Sequence, residues 1–277
     1  MLEHLNLLLP IGADSPFKLL HASDTHITLA DERDDERKNV LAAKRARVFP
    51  GALDNLKEIG ETADREGSII AYTGDLIDFV SYANLDEARA FVSEHDVFMA
   101  AGNHEFSQYV GEAFEDAAYR AQSLGRVQAA FSNDIRMSSR SVNGVNLVAL
   151  DNSYYLFEKA QYDFLRNECA KDQPVILLLH TPLYTPELHR FIIDVRKQPC
   201  GYLCGSPKEE LIKYPKDRYI QQKPDECTLE TCAFIRACPN IRCILTGHIH
   251  ATCISPLRED LMQYALSTTA VNHITVS

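Results

Sequence analysis

Apolar runs the length of one strand alternate along this chain with stretches whose apolar residues recur at helical spacing. Residues 5–11 read as an initial strand and 17–22 as a buried one. Residues 36–66 read as helix, reset at Pro50, a residue suited to a first helical turn. Leu53, Leu56 and Ala63, with Ile59 or Gly60, form its apolar stripe, and Gly67 is its C-terminal stop. A strand over 68–73 follows. Asn84-x-x-Glu87 has the form of a capping box opening a helix to about His95. A short strand at 97–100 and a helix over 113–124 come next. Strand patterns at 126–131, 135–140 and 144–150 continue, with Asn143-Gly144 supplying a hairpin turn. Helix 158–171, strand 174–179, helix 228–238 and strand 241–246 keep the alternation. Strands near 252–255, 259–266 and 271–276 close the chain.

The pattern lapses between about 184 and 226. Pro186, Pro199, Pro207, Pro215 and Pro224 fall there with Gly201 and Gly205, and periodicity is weak. A long irregular stretch inside a compact domain reads as a lid or binding loop. The expectation is one α/β domain over 1–277 carrying that insert. Asp31 to Lys38 is charged but mixed in sign, which predicts a solvated helix face.

Charge narrows the partners. There are 39 acidic against 28 basic side chains, a formal net charge of −11. Such a chain does not attract polyanions in general, which argues against a nuclease and against non-specific binding to nucleic acid or anionic membrane. No apolar run approaches the roughly 18 residues of a membrane span. The N-terminal apolar stretch is short, broken by Asn6 and Pro10, and carries Glu3 where an export signal has basic residues. Cytoplasmic residence is expected. Cys169, Cys232, Cys238, Cys243 and Cys253 lie in apolar helix or strand patterns and read as small buried hydrophobes. Cys200 and Cys204 fall in the insert, with Cys227 further on, but without the tighter second ligand pair of a structural zinc site. Reduced thiols are expected throughout.

Chemistry concentrates in five short motifs. In order they are Asp24-Thr25-His26, Gly74-Asp75-Leu76-Ile77-Asp78, Gly102-Asn103-His104-Glu105, His180, and Gly247-His248-Ile249-His250. Five of the ten histidines sit in this set. Each motif falls just past the C-terminal end of a predicted strand, where open α/β sheets place ligands, so residues distant in sequence would converge. Asp24 and His26 are separated by one residue, so an extended strand end would point both side chains to one side. Asp75 follows a glycine, and a carboxylate can bridge two cations through its two oxygens. Asn103 offers a carbonyl oxygen. His180, His248 and His250 offer nitrogens suited to zinc, iron, manganese or nickel, and that many imidazoles suit magnesium or calcium poorly.

In these motifs and their order the chain resembles the calcineurin-like metallophosphoesterase superfamily. The resemblance implies a four-layer α/β/β/α sandwich of two mixed sheets flanked by helices. It also implies two divalent or transition-metal ions. Asp24, His26 and His250 would hold the first, Asp75 would bridge, and Asn103, His180 and His248 would complete the second. His104 resembles the family's acid/base histidine, and Asp78 the carboxylate that orients it. The implied activity is metal-assisted hydrolysis of a small or nucleotide-like phosphoester, with no protein nucleophile. Phe79-Val80 and Ala101 stand where protein phosphatases carry arginines, and Asp78 where purple acid phosphatases carry tyrosine. What remains resembles the bacterial phosphodiesterase and phosphatase branch. A phosphodiesterase is expected first, with a phosphomonoesterase or pyrophosphohydrolase as the alternative. A binding scaffold would have lost ligands, and none is missing. Arg33, Arg37, Arg45 and Arg47, after His26, are candidates for phosphate contact, and specificity is expected there and in the insert.

Overall fold

The computed structural model describes residues 2–277. Eleven strands form two sheets among these residues. The strands are β1 (Glu3–Leu9), β2 (Phe17–Ala22), β3 (Ile69–Tyr72), β4 (Val97–Met99), β5 (Met137–Val142), β6 (Val145–Leu150), β7 (Val175–Leu178), β8 (Ile241–Thr246), β9 (Cys253–Arg258), β10 (Leu261–Ala265) and β11 (Ala270–Val276). The first sheet runs β1-β11-β2-β3-β4 and the second β5-β6-β7-β8-β10-β9. Both are mixed. In the first, β11 lies antiparallel to β2 while the other pairs are parallel. In the second, the outer pairs β5–β6 and β10–β9 are antiparallel around a parallel centre.

Why two sheets stack follows from the strands themselves. Successive side chains on a strand point to opposite faces, so a strand apolar at every position must be covered twice. Ile70 and Tyr72 join one apolar cluster with Leu56, Ile59 and Leu85 of the outer helices Ala52–Glu66 and Tyr82–Glu94. Ile69 and Ala71 join a second cluster with Leu147, Ala149, Ile176, Leu178 and Leu245 of the opposite sheet. Val148, Leu150, Leu177 and Ile244 turn outward against Leu165 and Ile235 of helices Lys159–Cys169 and Glu226–Ala237. Three apolar layers therefore separate four structural ones: helices, sheet, sheet, helices.

Several local expectations change. Residues 126–131 form no strand; Leu124–Gln128 is helical and buries Val127. The helix over 113–124 is reduced to Ala117–Ala121, capped by Asp116. The capping residue of helix Tyr82–Glu94 is Ser81, whose hydroxyl accepts from the Asn84 N–H; Asn84 is buried one turn inside. The long helix breaks into Glu36–Arg45 and Ala52–Glu66, with Gly51 rather than Pro50 at the junction. Leu53 faces solvent, 41% exposed, and Ala52 takes its place in the stripe. Gly67 does end that helix, at φ 64. The insert is not irregular. It holds helix Pro186–Arg190, a wider turn Phe191–Val195, and helices Lys208–Leu211 and Lys216–Gln222. Pro186, Pro207 and Pro215 lie at or beside their starts, where a missing N–H costs nothing.

Candidate metal centre

Five loops leave the C-terminal ends of β2, β3, β4, β7 and β8 and meet along one edge of the two sheets. They bring Asp24, His26, Asp75, Asn103, His104, His180, His248 and His250 together. The side chains are not delivered by extended backbone, as the one-residue spacing of Asp24 and His26 had implied. Asp24, His26, Asp75, His248 and His250 all adopt left-handed backbone, at φ 55, 50, 55, 68 and 48. Such torsions are costly for residues with a Cβ and cluster at functional sites. The preceding glycines make the approach possible. A Cβ on Gly74 would meet Gly102 N at 2.5 Å, and one on Gly247 would meet Ser23 Oγ at 1.9 Å and Asp24 Oδ2 at 2.2 Å.

Among the described residues, three groups have donor atoms mutually within 4.8 Å: Asp24, His26, Asp75 and His250; Asp75, His180 and His248; and His26, Asp78 and His104. Asp75 belongs to the first two. Its Oδ2 lies 3.6 Å from His26 Nε2 and 3.2 Å from His180 Nε2, the placement of a shared ligand. In the first group Asp24 Oδ1 is 3.8 Å from His26 Nε2 and 3.4 Å from His250 Nε2. The two imidazole nitrogens are 3.0 Å apart. In the second, His180 Nε2 is 3.1 Å from His248 Nδ1 and 3.3 Å from Asn103 Oδ1.

The outward sides of these rings decide what faces inward. His180 Nδ1 lies 2.7 Å from the Thr73 carbonyl oxygen, which can only accept, so that nitrogen carries the proton. In the neutral ring the lone pair on Nε2 then points at the Asp75 carboxylate. His26 repeats the arrangement, with Nδ1 on Asp78 Oδ1 at 3.1 Å. Lone pairs aimed at carboxylates and at each other repel unless a proton or cation lies between them. Metal-bound histidines characteristically donate their far N–H to such an acceptor. The donor set therefore fits a pair of cations.

Titration behaviour reflects this crowding of charge. Burial opposes ionisation of Asp24, but hydrogen bonds from His250 and His26 outweigh it and hold the carboxyl well below its usual range. Asp75 is depressed likewise, burial being outweighed by His180 and His104. Burial disfavours a charged His180, yet Asp75 pushes that ring up to about 9. Burial, reinforced by His180, drives His248 down to about 3.

His104 belongs to the third group, with His26 and Asp78. Its Nδ1 donates to the Asp78 carbonyl oxygen at 2.7 Å and lies 3.2 Å from the Asp78 carboxylate. The backbone oxygen is thus the nearer partner, a contact that residue type could not foretell. Burial opposes its charge, but Asp75 and Asp78 push it up to about 10. The Asp78 carboxylate also receives Arg45, Nε to Oδ2 at 2.6 Å and Nη2 to Oδ1 at 2.8 Å. Arg45 is consequently committed to Asp78 and not free for phosphate. Arg33 is paired with Asp31 and Asp86, and Arg37 with Glu112. The arginines that reach the cavity are Arg196 and Arg218 of the insert. That cavity, about 280 Å³, is also lined by Asp75, His104, His248 and Tyr202.

Other contributors were given no role by the sequence, although Glu105 closes one of its motifs. Glu105 is fully buried and accepts from the backbone N–H groups of Asp75 and Gly102, each at 2.7 Å, and of Leu76 at 2.8 Å, tying two site loops together. Burial and the Asp75 charge push it up to about 7 against those donors. Tyr155, at φ 66, places its hydroxyl 2.8 Å from His248 Nε2. Phe49 stacks on the His26 ring at 4.1 Å. All eight cysteines are free thiols, and Cys200 and Cys204 are buried.

Residues 17–252 match the profile of the calcineurin-like phosphoesterase family. No curated protein matches the sequence at a significant level. Among solved structures the chain is similar to a dimetal phosphatase from Danio rerio, at 15% identity and a TM-score of 0.50, covering 91% of this chain and 88% of that one. It also matches a phosphopantetheinyl hydrolase from Mycobacterium tuberculosis, at 12% identity and a TM-score of 0.47, covering 94% and 90%. No described helix is long and apolar enough to cross a membrane. The chain belongs to the calcineurin-like phosphoesterase family, whose members carry a dinuclear divalent metal centre, and it is a metal-dependent phosphoester hydrolase.

Proposed function

We propose that the chain hydrolyses small phosphodiesters, with manganese, iron or zinc held by Asp24, His26, His250 and Asp75 on one side and Asp75, Asn103, His180 and His248 on the other. The observation that carries the reading is that His180 and His26 each meet an acceptor with Nδ1 on the outer side, so that both inner nitrogens face Asp75. Bound there, the metals supply an acidified water and offset charge on the phosphoryl oxygens.

The chain's own residues do the rest. His104 has its Nδ1 tied to Asp78, so Nε2 is the nitrogen available to the cavity. Protonated, it donates to the departing oxygen as general acid. Asp78, anchored by Arg45, keeps that ring oriented and favours its charged form. Tyr155 fixes His248 from outside. The insert, proposed as a lid on the same domain, contributes Ile192, Arg196, Gln198, Tyr202 and Arg218 to the cavity wall.

Arg196 and Arg218 support a second reading. Guanidinium groups over the site suit a dianionic monoester or a pyrophosphate better than a singly charged diester. Turnover of bis(p-nitrophenyl) phosphate against p-nitrophenyl phosphate, by manganese-loaded protein, decides between them. A higher kcat/KM for the diester is expected. A strong monoester preference reverses the ranking, and no turnover of either at confirmed metal occupancy refutes both.

A further inference from the structure

Asn103 can present either its amide oxygen or its amide nitrogen to the centre, and only the oxygen can hold a cation. A chain of hydrogen bonds that begins in the insert settles which. Arg218 Nη1 donates to Gln221 Oε1 at 2.7 Å. Gln221 Nε2 donates to Glu115 Oε2 at 2.7 Å, and Asn103 Nδ2 donates to Glu115 Oε1 at 3.2 Å. Arginine can only donate and a carboxylate can only accept, so the two ends fix the orientation of both amides between and beside them. With Asn103 Nδ2 held by Glu115, its Oδ1 is turned inward, 3.3 Å from His180 Nε2.

We propose that Glu115 is a positioning residue for the second cation: it orients the Asn103 amide and couples that ligand to the insert helix Lys216–Gln222. This rests on the assignment of Asn103 to the second cation. The same carboxylate binds the insert on one oxygen and the site on the other, so the Arg218 that lines the cavity is joined to the metal centre through two side chains. An anionic substrate group that draws Arg218 away from Gln221 loosens the restraint on Asn103.

Moving the negative charge along this chain provides the test. In Glu115→Gln the introduced amide has one acceptor and one donor end, so it cannot accept from both neighbours; Arg218 holds Gln221 in place, so Asn103 is the amide that must turn over. Adding Gln221→Glu restores the polarity. The amide introduced at position 115 then accepts from Asn103 and donates to the carboxylate introduced at position 221, which in turn faces Arg218. Metal-free protein is titrated with Mn²⁺ by calorimetry, with stoichiometry checked by elemental analysis and folding by Tm. Wild type is expected to take two ions. E115Q is expected to bind the second about 10–100-fold more weakly, the usual effect of losing a ligand's outer partner. E115Q/Q221E is expected to recover most of that loss, which a merely structural defect would not allow. E115A, which lacks the misplaced donor, serves the same measurement if E115Q does not fold. Wild-type affinity for both ions in a folded Glu115 variant overturns the proposal, as does a double variant no better than E115Q. A wild type that binds fewer than two ions overturns the cation assignment itself, and this proposal with it.

Discussion

Asp75 sets one carboxylate oxygen between His26 and His180, and at the residue scale most of the proposed chemistry hangs on that placement. Asp75→Asn keeps the shape and removes the shared charge. Under the proposed assignment it is expected to reduce metal stoichiometry below two and activity by about 10²–10³-fold or more; two ions at normal affinity would contradict the bridging role. His104→Gln is expected to lose about 10²–10⁴-fold on esters with alkoxide leaving groups and much less on nitrophenyl esters, which depart without a proton. Equal losses on both classes argue against an acid role. His21 invites a different experiment. It is wholly buried in β2, with Nε2 3.0 Å from Thr73 Oγ1, and burial lowers its pKa from 6.5 to about 3. As pH falls below about 6.5 the unfolded chain takes up a proton that the folded one refuses, so stability is lost between those values. The slope reaches about 1.4 kcal/mol per pH unit. Urea denaturation of the metal-free protein from pH 7 to 4.5 is expected to show a shallower slope in His21→Gln; an unchanged slope removes the linkage. The seven residues proposed as donors stand out in the sequence because they fall in five short motifs. Glu115, Tyr155 and Arg45 do not, because their roles arise from contacts between segments up to 106 residues apart.

Elements were legible where a period or a chain break was strong. Strands β2, β3, β7 and β8 are apolar runs ending at motifs, and each was placed within a residue or two. Caps and amphipathic phase were harder. Ser81 outcompetes Asn84 as the capping residue because Asn84 is drawn inward, where its side chain bonds the Leu29 N–H and the Phe79 carbonyl. The insert hid its helices because each is under eight residues and too short to show a period. The turn at Gly247 has a sharp consequence. A methyl group there would strike Ser23 and Asp24, so Gly247→Ala is expected to displace the Asp24 carboxylate and cost about 1–3 kcal/mol of stability from overpacking. Metal titration should show the loss falling on the ion that Asp24 would hold; unchanged affinity with an unchanged Tm would mean the loop yields freely.

At the scale of the whole molecule, sheet stacking is what the alternation of helix and strand could not reveal. Strands apolar on both faces demand two covers, but whether a cover is a helix or a second sheet depends on side chains meeting across the interface, as Ala71 and Leu147 do. The site follows from that stacking. Asp24, His26, Asp75 and Asn103 come from the first sheet, and His180, His248 and His250 from the second. Each proposed cation would therefore take ligands from both. A metal present at about a hundred times its Kd adds about 2.7 kcal/mol to folding. That predicts a Tm rise of about 5–10 °C on adding Mn²⁺ to chelator-stripped protein, measured by calorimetry. No rise would mean that the folded chain gains nothing from the ion.

The seam between the sheets gives the ions a mechanical meaning as well. They would act as rivets driven through the one edge where both halves of the sandwich offer donors. With the rivets in, the halves should melt together in a single transition. With them drawn out, that edge is held only by the crowded acids and imidazoles that the metals would have reconciled. The stripped protein should then open first along its catalytic rim, while the opposite margin of the sandwich stays closed.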